Sequence, residues 1–348
     1  MKILDYKMNA VMAKARALYG QRLTGEDYNN LVSCRSMGEF VTYLKNRTSY
    51  ADMLRGVSTT DPEADLIEFL IRKKAYLQFS ALCHYEMTLG EDFSNYFIIK
   101  EEIKQILACL KSILFHNTDK YVMKMPGFYE RSLHFDVRNL MRVRSLEELS
   151  QTLSGTPYKK IIDEGIKKQD SYLEFECAFI NYFDEYEYKL INKNLGRSDR
   201  KELLSLLEQK ADLQFIDKIY RLKKYFPENK TTVSIVAPSK LTAFSKKQIK
   251  AFINAEDEKE VTQLLKKTGY KNYAYEMENS PYIEQAIDRI HYKKHKRLLR
   301  FSTNPNTVMF CFMFLAENEV NNLIHITEGI KYNLAPEHIQ SLLIGVGD

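Results

Sequence analysis

Tryptophan is absent from this 348-residue chain, and breakers are scarce, with 13 glycines and 8 prolines. Few breakers beside many Leu, Ile, Glu and Lys favour helices over strands. The five cysteines (Cys34, Cys83, Cys109, Cys177, Cys311) are odd in number and none forms a C-x-x-C pair. That argues against a disulfide framework and a zinc module, and points to a reducing, cytoplasmic compartment. The longest apolar run, Val308 to Ala316, is nine residues. A span of the hydrocarbon core needs about 20, so no transmembrane segment is expected. Met1 to Met8 lacks the long apolar stretch of a signal peptide. There is no P-loop, no G-x-G-x-x-G, no H-E-x-x-H and no G-x-S-x-G. The commonest nucleotide and hydrolase chemistries lose their signatures.

What is present is a full helical core. The chain is 45% hydrophobic and 28% charged with a net charge of +5, as a soluble globular protein requires. The 23 tyrosines suit helix packing with a wet hydroxyl end. Lys293 to Arg297 is a basic run, read as a solvated helix face that could alternatively touch phosphate. His291 and His295 stand four apart on one helix face, but the cations around them disfavour a metal, and they read as exposed histidines. The acid pairs Glu101-Glu102 and Asp184-Glu185 read as helix-surface acids rather than an acid/base couple. Phe179, Tyr182 and Tyr186 share a helix face and read as a core stripe. No cofactor and no catalytic or metal site is expected.

One phrase recurs three times: Ser36 with Glu39, then Thr48 and Tyr50; Ser145 with Glu148, then Thr156 and Tyr158; Asp257 with Glu260, then Thr268 and Tyr270. The copies lie about 110 residues apart, the mark of one supersecondary unit used repeatedly. A short capping side chain with Glu three positions later satisfies two orphan donors, so each copy predicts a helix start. Thr24 with Asp27 is a further capping box, and Asp61-Pro62-Glu63 predicts another start. Long amphipathic helices are expected from Asp61 past Leu82, over 101–115, as one piece over 161–192, over 200–225, over 282–301 and over 307–332, with a terminal turn after Pro336. Ser198-Asp199 should cap the fourth of these, and a looser segment surrounds Met125-Pro-Gly127. Thr231 to Val236 is the one candidate strand. The expected fold is all-α: a single helical body over 1–348 with approximate internal repeats at 1–85, 86–195 and 196–348. The twelve signature residues are expected to be structural.

Two further segments share a build of acid, amphipathic helix and basic end: Asp212 to Tyr225, and Glu319 to Lys331. With Tyr6-x-x-Asn-Ala and Arg16 near the start, the Thr-x-Tyr endings and Glu319-x-Asn-Asn-Leu323, the ordered series resembles the C/d subunit of V-type and archaeal-type rotary ATPases. The resemblance spans essentially the whole chain. It implies a funnel-shaped, pseudo-threefold body of three helical lobes that is not an enzyme. It implies a central-stalk adaptor, peripheral on the cytoplasmic face of the membrane, between the D/F-type shaft of the ATP-hydrolysing head and the c/K-type rotor ring, passing torque for proton or sodium transport. No nucleic-acid partner is implied. The alternative is an unrelated helical-repeat scaffold that binds nucleic acid through the basic 293–300 segment, which steep loss of affinity with salt would reveal.

Overall fold

The computed structural model describes residues 2–85, 90–116, 133–196, 200–226, 236, 238–280 and 282–346, and for 2–8, 84–85 and 90–94 the backbone alone. All regular structure among them is helical. The expected looser segment at Met125-Pro-Gly127, the Ser198-Asp199 cap and nearly all of the candidate strand lie outside the described residues. Two compact units divide the chain. One comprises Met1–Gly90 and Asn279–Asp348, the other Glu91–Glu278.

The first unit contains α1 (Lys2–Gly20), α2 (Gly25–Val32), α3 (Met37–Arg47), α4 (Ala51–Leu54), α5 (Ala64–Tyr85), α14 (Ile283–Phe301), α15 (Pro305–Lys331) and α16 (Pro336–Leu342). Its axis is α15, which packs against α14, α1 and α5. The apolar run starts this helix, and Val308 to Met313 are all buried. At roughly 1.5–3 kcal/mol per buried aliphatic side chain, such a stripe fixes the helix at the centre of its unit. Asn304 caps it, its side chain accepting from the Asn306 and Thr307 N–H groups, with Pro305 at the first helical position. Polar ties hold the returning ends. The Asn322 side chain donates to the Ile344 carbonyl at 2.9 Å and accepts from its N–H at 3.0 Å. Arg16 donates to the carbonyls of Leu299 and Ser302, closing the last turn of α14.

The second unit holds α6 (Gly90–Leu114) from its second residue, a 3₁₀ turn (Val137–Arg142), α7 (Leu146–Thr152), α8 (Tyr158–Lys168), α9 (Tyr172–Asn194), α10 (Arg200–Tyr225), α11 (Lys246–Asn254), α12 (Glu258–Lys266) and α13 (Lys271–Glu278). Here α10 packs against α9, α11 and α12, while α8 joins α7 to α9. The stretch expected as one helix over 161–192 is two. Gln169 takes a left-handed conformation (φ 58°), and Ser171 with Glu174 forms a fresh capping box. The Asp170 N–H returns to the Gly165 carbonyl at 2.9 Å, so α8 ends in a closed turn. The helix expected with Asp61 as its cap starts two residues later, since Glu63 supplies the first accepting carbonyl of α5 and Ala64 is its first residue.

Gly165 on α8 lies against Phe175 of α9: a Cβ there would stand 2.2 Å from the Phe175 ring, which is fully buried. Replacing Gly165 by Ala gains up to about 1 kcal/mol of helix propensity but overpacks the junction by about 1–3 kcal/mol. Gly165→Ala should therefore lower the urea midpoint of the protein, against the propensity trend. A rise in the midpoint would refute this packing account.

Candidate functional site

The three recurrent phrases build one local structure. Ser36, Ser145 and Asp257 each accept from the N–H of the Glu three residues on, at 3.2, 3.2 and 2.8 Å. The reciprocal bond goes one residue further back than a standard capping box. Glu39, Glu148 and Glu260 accept from Arg35, Arg144 and Glu256, at 2.8, 2.7 and 2.7 Å. The cause is backbone geometry. The three caps have φ of −144°, −136° and −142°. Thr24, Ser171 and Ser245, at −87°, −71° and −66°, instead present their own N–H to the Asp, Glu or Gln three residues on. Each phrase closes alike: Thr48, Thr156 and Thr268 donate to the carbonyls of Leu44, Leu153 and Leu265, all at 2.7 Å.

The tyrosines that end the phrases share one kind of partner. Tyr50 donates its hydroxyl to Glu319 on α15 at 2.8 Å, Tyr158 to Glu102 on α6 at 2.6 Å, and Tyr270 to Asp212 on α10 at 2.7 Å. The second oxygen of each carboxylate accepts a backbone N–H from the segment leading into the first short helix of its module. Leu23 donates to Glu319 at 2.8 Å, His134 to Glu102 at 2.5 Å and Ala243 to Asp212 at 3.1 Å. Thus an acid on a long helix, one loop amide and one tyrosine hydroxyl form the same triangle three times. Glu102 and Asp212 are fully buried, whereas Glu319 keeps some accessible surface.

Burial sets the electrostatics. Desolvation holds Glu319 above the usual carboxylate range, although Lys74 and the bonds from Leu23 and Tyr50 pull the other way. Asp212 is raised by the same cause against its bonds from Thr242 and Tyr270. The three tyrosine hydroxyls are pushed well up by burial and by their acids, so they remain donors. Burial pulls the Lys74 ammonium down to about 8, against the attraction of Glu319. It donates to the Ser49 hydroxyl at 2.6 Å and lies 3.5 Å from the centroid of the Tyr50 ring.

Other sequence readings need correction. Glu102 and Asp184, expected on helix surfaces, are buried. Neighbouring helical residues point some 100° apart, so each pair sends one acid inward and leaves Glu101 and Glu185 with accessible surface. Asp184 and Glu187 share the Lys210 ammonium at 3.3 and 2.7 Å. Burial lowers Lys210 and the two acids raise it, the acids prevailing. His291 and His295, expected exposed, are buried. Their spacing of four sets them on the stripe of Ile287 and Leu299, and the His295 ring stacks on Phe314 with centroids 3.9 Å apart. Lys293 and Arg297 occupy the solvent side. Phe179 is fully buried and packs with Tyr182 around Tyr158. Among the described residues no cluster of three or more His, Cys, Asp or Glu is placed to hold a metal ion. No described helix is long and apolar enough to cross a membrane.

The sequence profile of the ATP synthase (C/AC39) subunit family matches residues 11–342. The chain belongs to that family. It is 20% identical over 354 residues to the C subunit of the A-type ATP synthase of Thermococcus onnurineus, covering 97% of this chain and 89% of that one. Identity to the C subunit of the A-type ATP synthase of Thermococcus kodakarensis is 23% over 351 residues, covering 95% and 88%. The namesake of Pyrococcus furiosus is 25% identical over 214 residues, covering 60% and 57%.

Two predictions come from the triangles. Removing the Tyr270 hydroxyl orphans Asp212 Oδ2, at about 1–3 kcal/mol for a buried group, whereas Glu102 Oε2 keeps the His134 ring at 3.1 Å when the Tyr158 hydroxyl is removed. Tyr270→Phe should lower stability by that much, and Tyr158→Phe and Tyr50→Phe by less, because Glu102 keeps the His134 ring and Glu319 has access to solvent. Equal losses at all three positions by urea titration would refute the ranking. The second prediction concerns Lys74. Its folded pKa, about 8, lies below its value of 10.5 in an unfolded chain. Below pH 8 both states carry the proton; between pH 8 and 10 the unfolded chain binds more. The stability of the wild type relative to Lys74→Met should therefore rise from pH 7 to pH 9.5. A flat or falling difference would show that Lys74 titrates normally.

Proposed function

We propose that this member of the ATP synthase (C/AC39) subunit family is the central-stalk adaptor of an A/V-type rotary ATPase. It works without catalysis, joining the shaft of the soluble ATP-hydrolysing head to the membrane rotor ring. It rotates with both and passes torque for proton or sodium transport. Its place is peripheral, on the cytoplasmic face of the membrane. The profile match over residues 11–342 carries this reading, and the named A-type ATP synthase relatives support it.

The physical character of the chain suits such a part. A torque coupler must deform little under load. Helices with close-packed interiors have low compressibility. In each recurrent module the loop is tied to a long helix through a carboxylate whose two oxygens are both engaged. A loop held in that way cannot slide along its helix without exposing a buried acid to an unpaired state. In the proposed reading the three recurrent phrases belong to three lobes, at about 1–85, 86–195 and 196–348, the first taking its acid Glu319 from the third, and the lobes set three similar contact surfaces around the rotation axis. Each stable joint with shaft or ring would need about 1,000 Å² of interface. The twelve signature residues serve those lobes structurally.

Reconstitution tests the role. In vesicles carrying the complete complex, ATP addition should drive ion uptake. The complex assembled without this chain should keep ATP hydrolysis by the head while ion uptake falls to the background rate. Uptake that persists without the chain would remove the coupling role. Loss of hydrolysis by the isolated head would point instead to a catalytic or assembly function.

A further inference from the structure

The three triangles are not equally enclosed, and the difference lies in what surrounds Glu319. A cavity of about 290 Å³ opens beside it, wholly within the first unit. Its charged walls are Lys74, Arg22 and Glu319, and its polar walls include Tyr19. This volume is at the lower end for small-molecule sites, so it suits a compact ligand.

The donors and acceptors on these walls do not balance. Glu319 already accepts from Tyr50 and Leu23. Lys74 spends one donor on Ser49 and rests on the Tyr50 ring, leaving two N–H groups of its ammonium for another acceptor. Arg22 gives one N–H to the Tyr19 carbonyl at 3.2 Å and lies 4.2 Å from the centroid of the Tyr19 ring, leaving most of its five-donor fork uncommitted. The Tyr19 side chain is 8% exposed, and its hydroxyl has no hydrogen-bond partner among the described residues. Two cations face one carboxylate, and the surplus consists of donors. Leu18, Phe312 and Leu315 add an apolar wall.

We infer that this cavity binds a small organic oxyanion, its carboxylate or phosphate oxygens accepting from Lys74, Arg22 and Tyr19 and its carbon body lying on Phe312 and Leu315. The shared chemistry is an acceptor-rich anion of a few heavy atoms. The depressed Lys74 ammonium accords with this geometry, because a bound anion would return it toward its ordinary value. At the two fully buried acids the amide and hydroxyl partners leave no comparable surplus of cations: Glu102 has His134 beside it and Asp212 has Thr242. The inference does not rest on the coupling role, and a bound anion could serve a free-standing chain equally well.

Calorimetric titration of the full chain tests it, with inorganic phosphate, glycerol 3-phosphate and citrate as probes and chloride at matched ionic strength as the control. The expected result is saturable one-to-one binding of an organic probe with a Kd of about 1 mM or tighter. Saturation by inorganic phosphate alone would overturn the organic assignment. Lys74→Gln and Tyr19→Phe should each weaken binding by about tenfold or more. Lys160→Gln, an exposed lysine of the second unit, should leave it unchanged. No saturable heat with any probe would overturn the site. So would affinity that survives both Tyr19→Phe and Lys74→Gln, or that falls equally in Lys160→Gln. Tyr19→Phe keeps the ring and its packing, so it remains informative if Lys74→Gln does not fold.

Discussion

A carboxylate taken out of water must have its oxygens bonded or it costs several kcal/mol. That requirement, met three times with the same parts, organises this protein. Glu319, Glu102 and Asp212 each sit on a long helix and each receive one loop amide and one tyrosine hydroxyl. The apolar contacts around them would tolerate sliding by part of a helical turn. The carboxylates do not, because a shift of about 1 Å breaks two charge-assisted bonds at once. Non-directional burial supplies the stability of each module, and the acid supplies its register.

The capping phrase explains how the tyrosine arrives at the acid. An N-cap near φ −140° sends the chain into its helix along a fixed course, and the Glu three residues later locks the preceding amide. The helix is then short, 11, 7 and 9 residues in the three copies. The threonine ends it by bonding back to a leucine carbonyl. Start, length and stop are all specified locally, so the tyrosine two residues past the threonine leaves the helix at a defined place. In the proposed coupling role this arrangement would favour stiffness, because the bonded polar pins sit in close-packed interiors.

Most of the helices were legible because their signals are local. Ala335-Pro336 marks a helix start, and the structure begins α16 there; Asn304-Pro305 marks the break after α14, and α15 begins at Pro305, two residues before the expected Thr307. The break at Gln169 had local signals that the reading of one helix passed over. A glutamine at positive φ has no composition signal, but Lys167 to Ser171 is a polar run, and Ser171-x-x-Glu174 is a capping box that restarts the helix. The tyrosines were legible as a repeat, while their partners were legible only in part. Asp212 and Glu319 stood out as heads of similar helices. Glu102 did not, since its neighbour Glu101 made it look like half of a surface pair. Its true signal is the setting: Ile99 and Ile106, three before and four after, are both buried, so position 102 lies inside the apolar stripe. An acid in such a stripe needs donors brought to it from elsewhere in the chain, and only the tertiary structure says from where.

The three triangles also differ in how far the chain must travel to close them. Tyr158 and Tyr270 reach acids 56 and 58 residues away, whereas Tyr50 and Glu319 are separated by 269 residues. Closure entropy grows only logarithmically, so the longer loop costs about 1.4 kcal/mol more. That is comparable to one hydrogen bond and is offset by the broad packing of α15 against α1, α5 and α14. The larger consequence is topological. Both short-range triangles fall within the second unit, and the long-range one joins the two ends of the chain into the first. The first module therefore takes its acid from α15, whereas each of the others takes it from the long helix that precedes it. Its acid comes with different neighbours, Lys74 on α5 and Arg22 after α1, and it is at this copy that the enclosing side chains leave a cavity beside the carboxylate. The same register device, closed by a helix from the far end of the sequence, thereby stands beside a cavity whose walls carry Lys74 and Arg22.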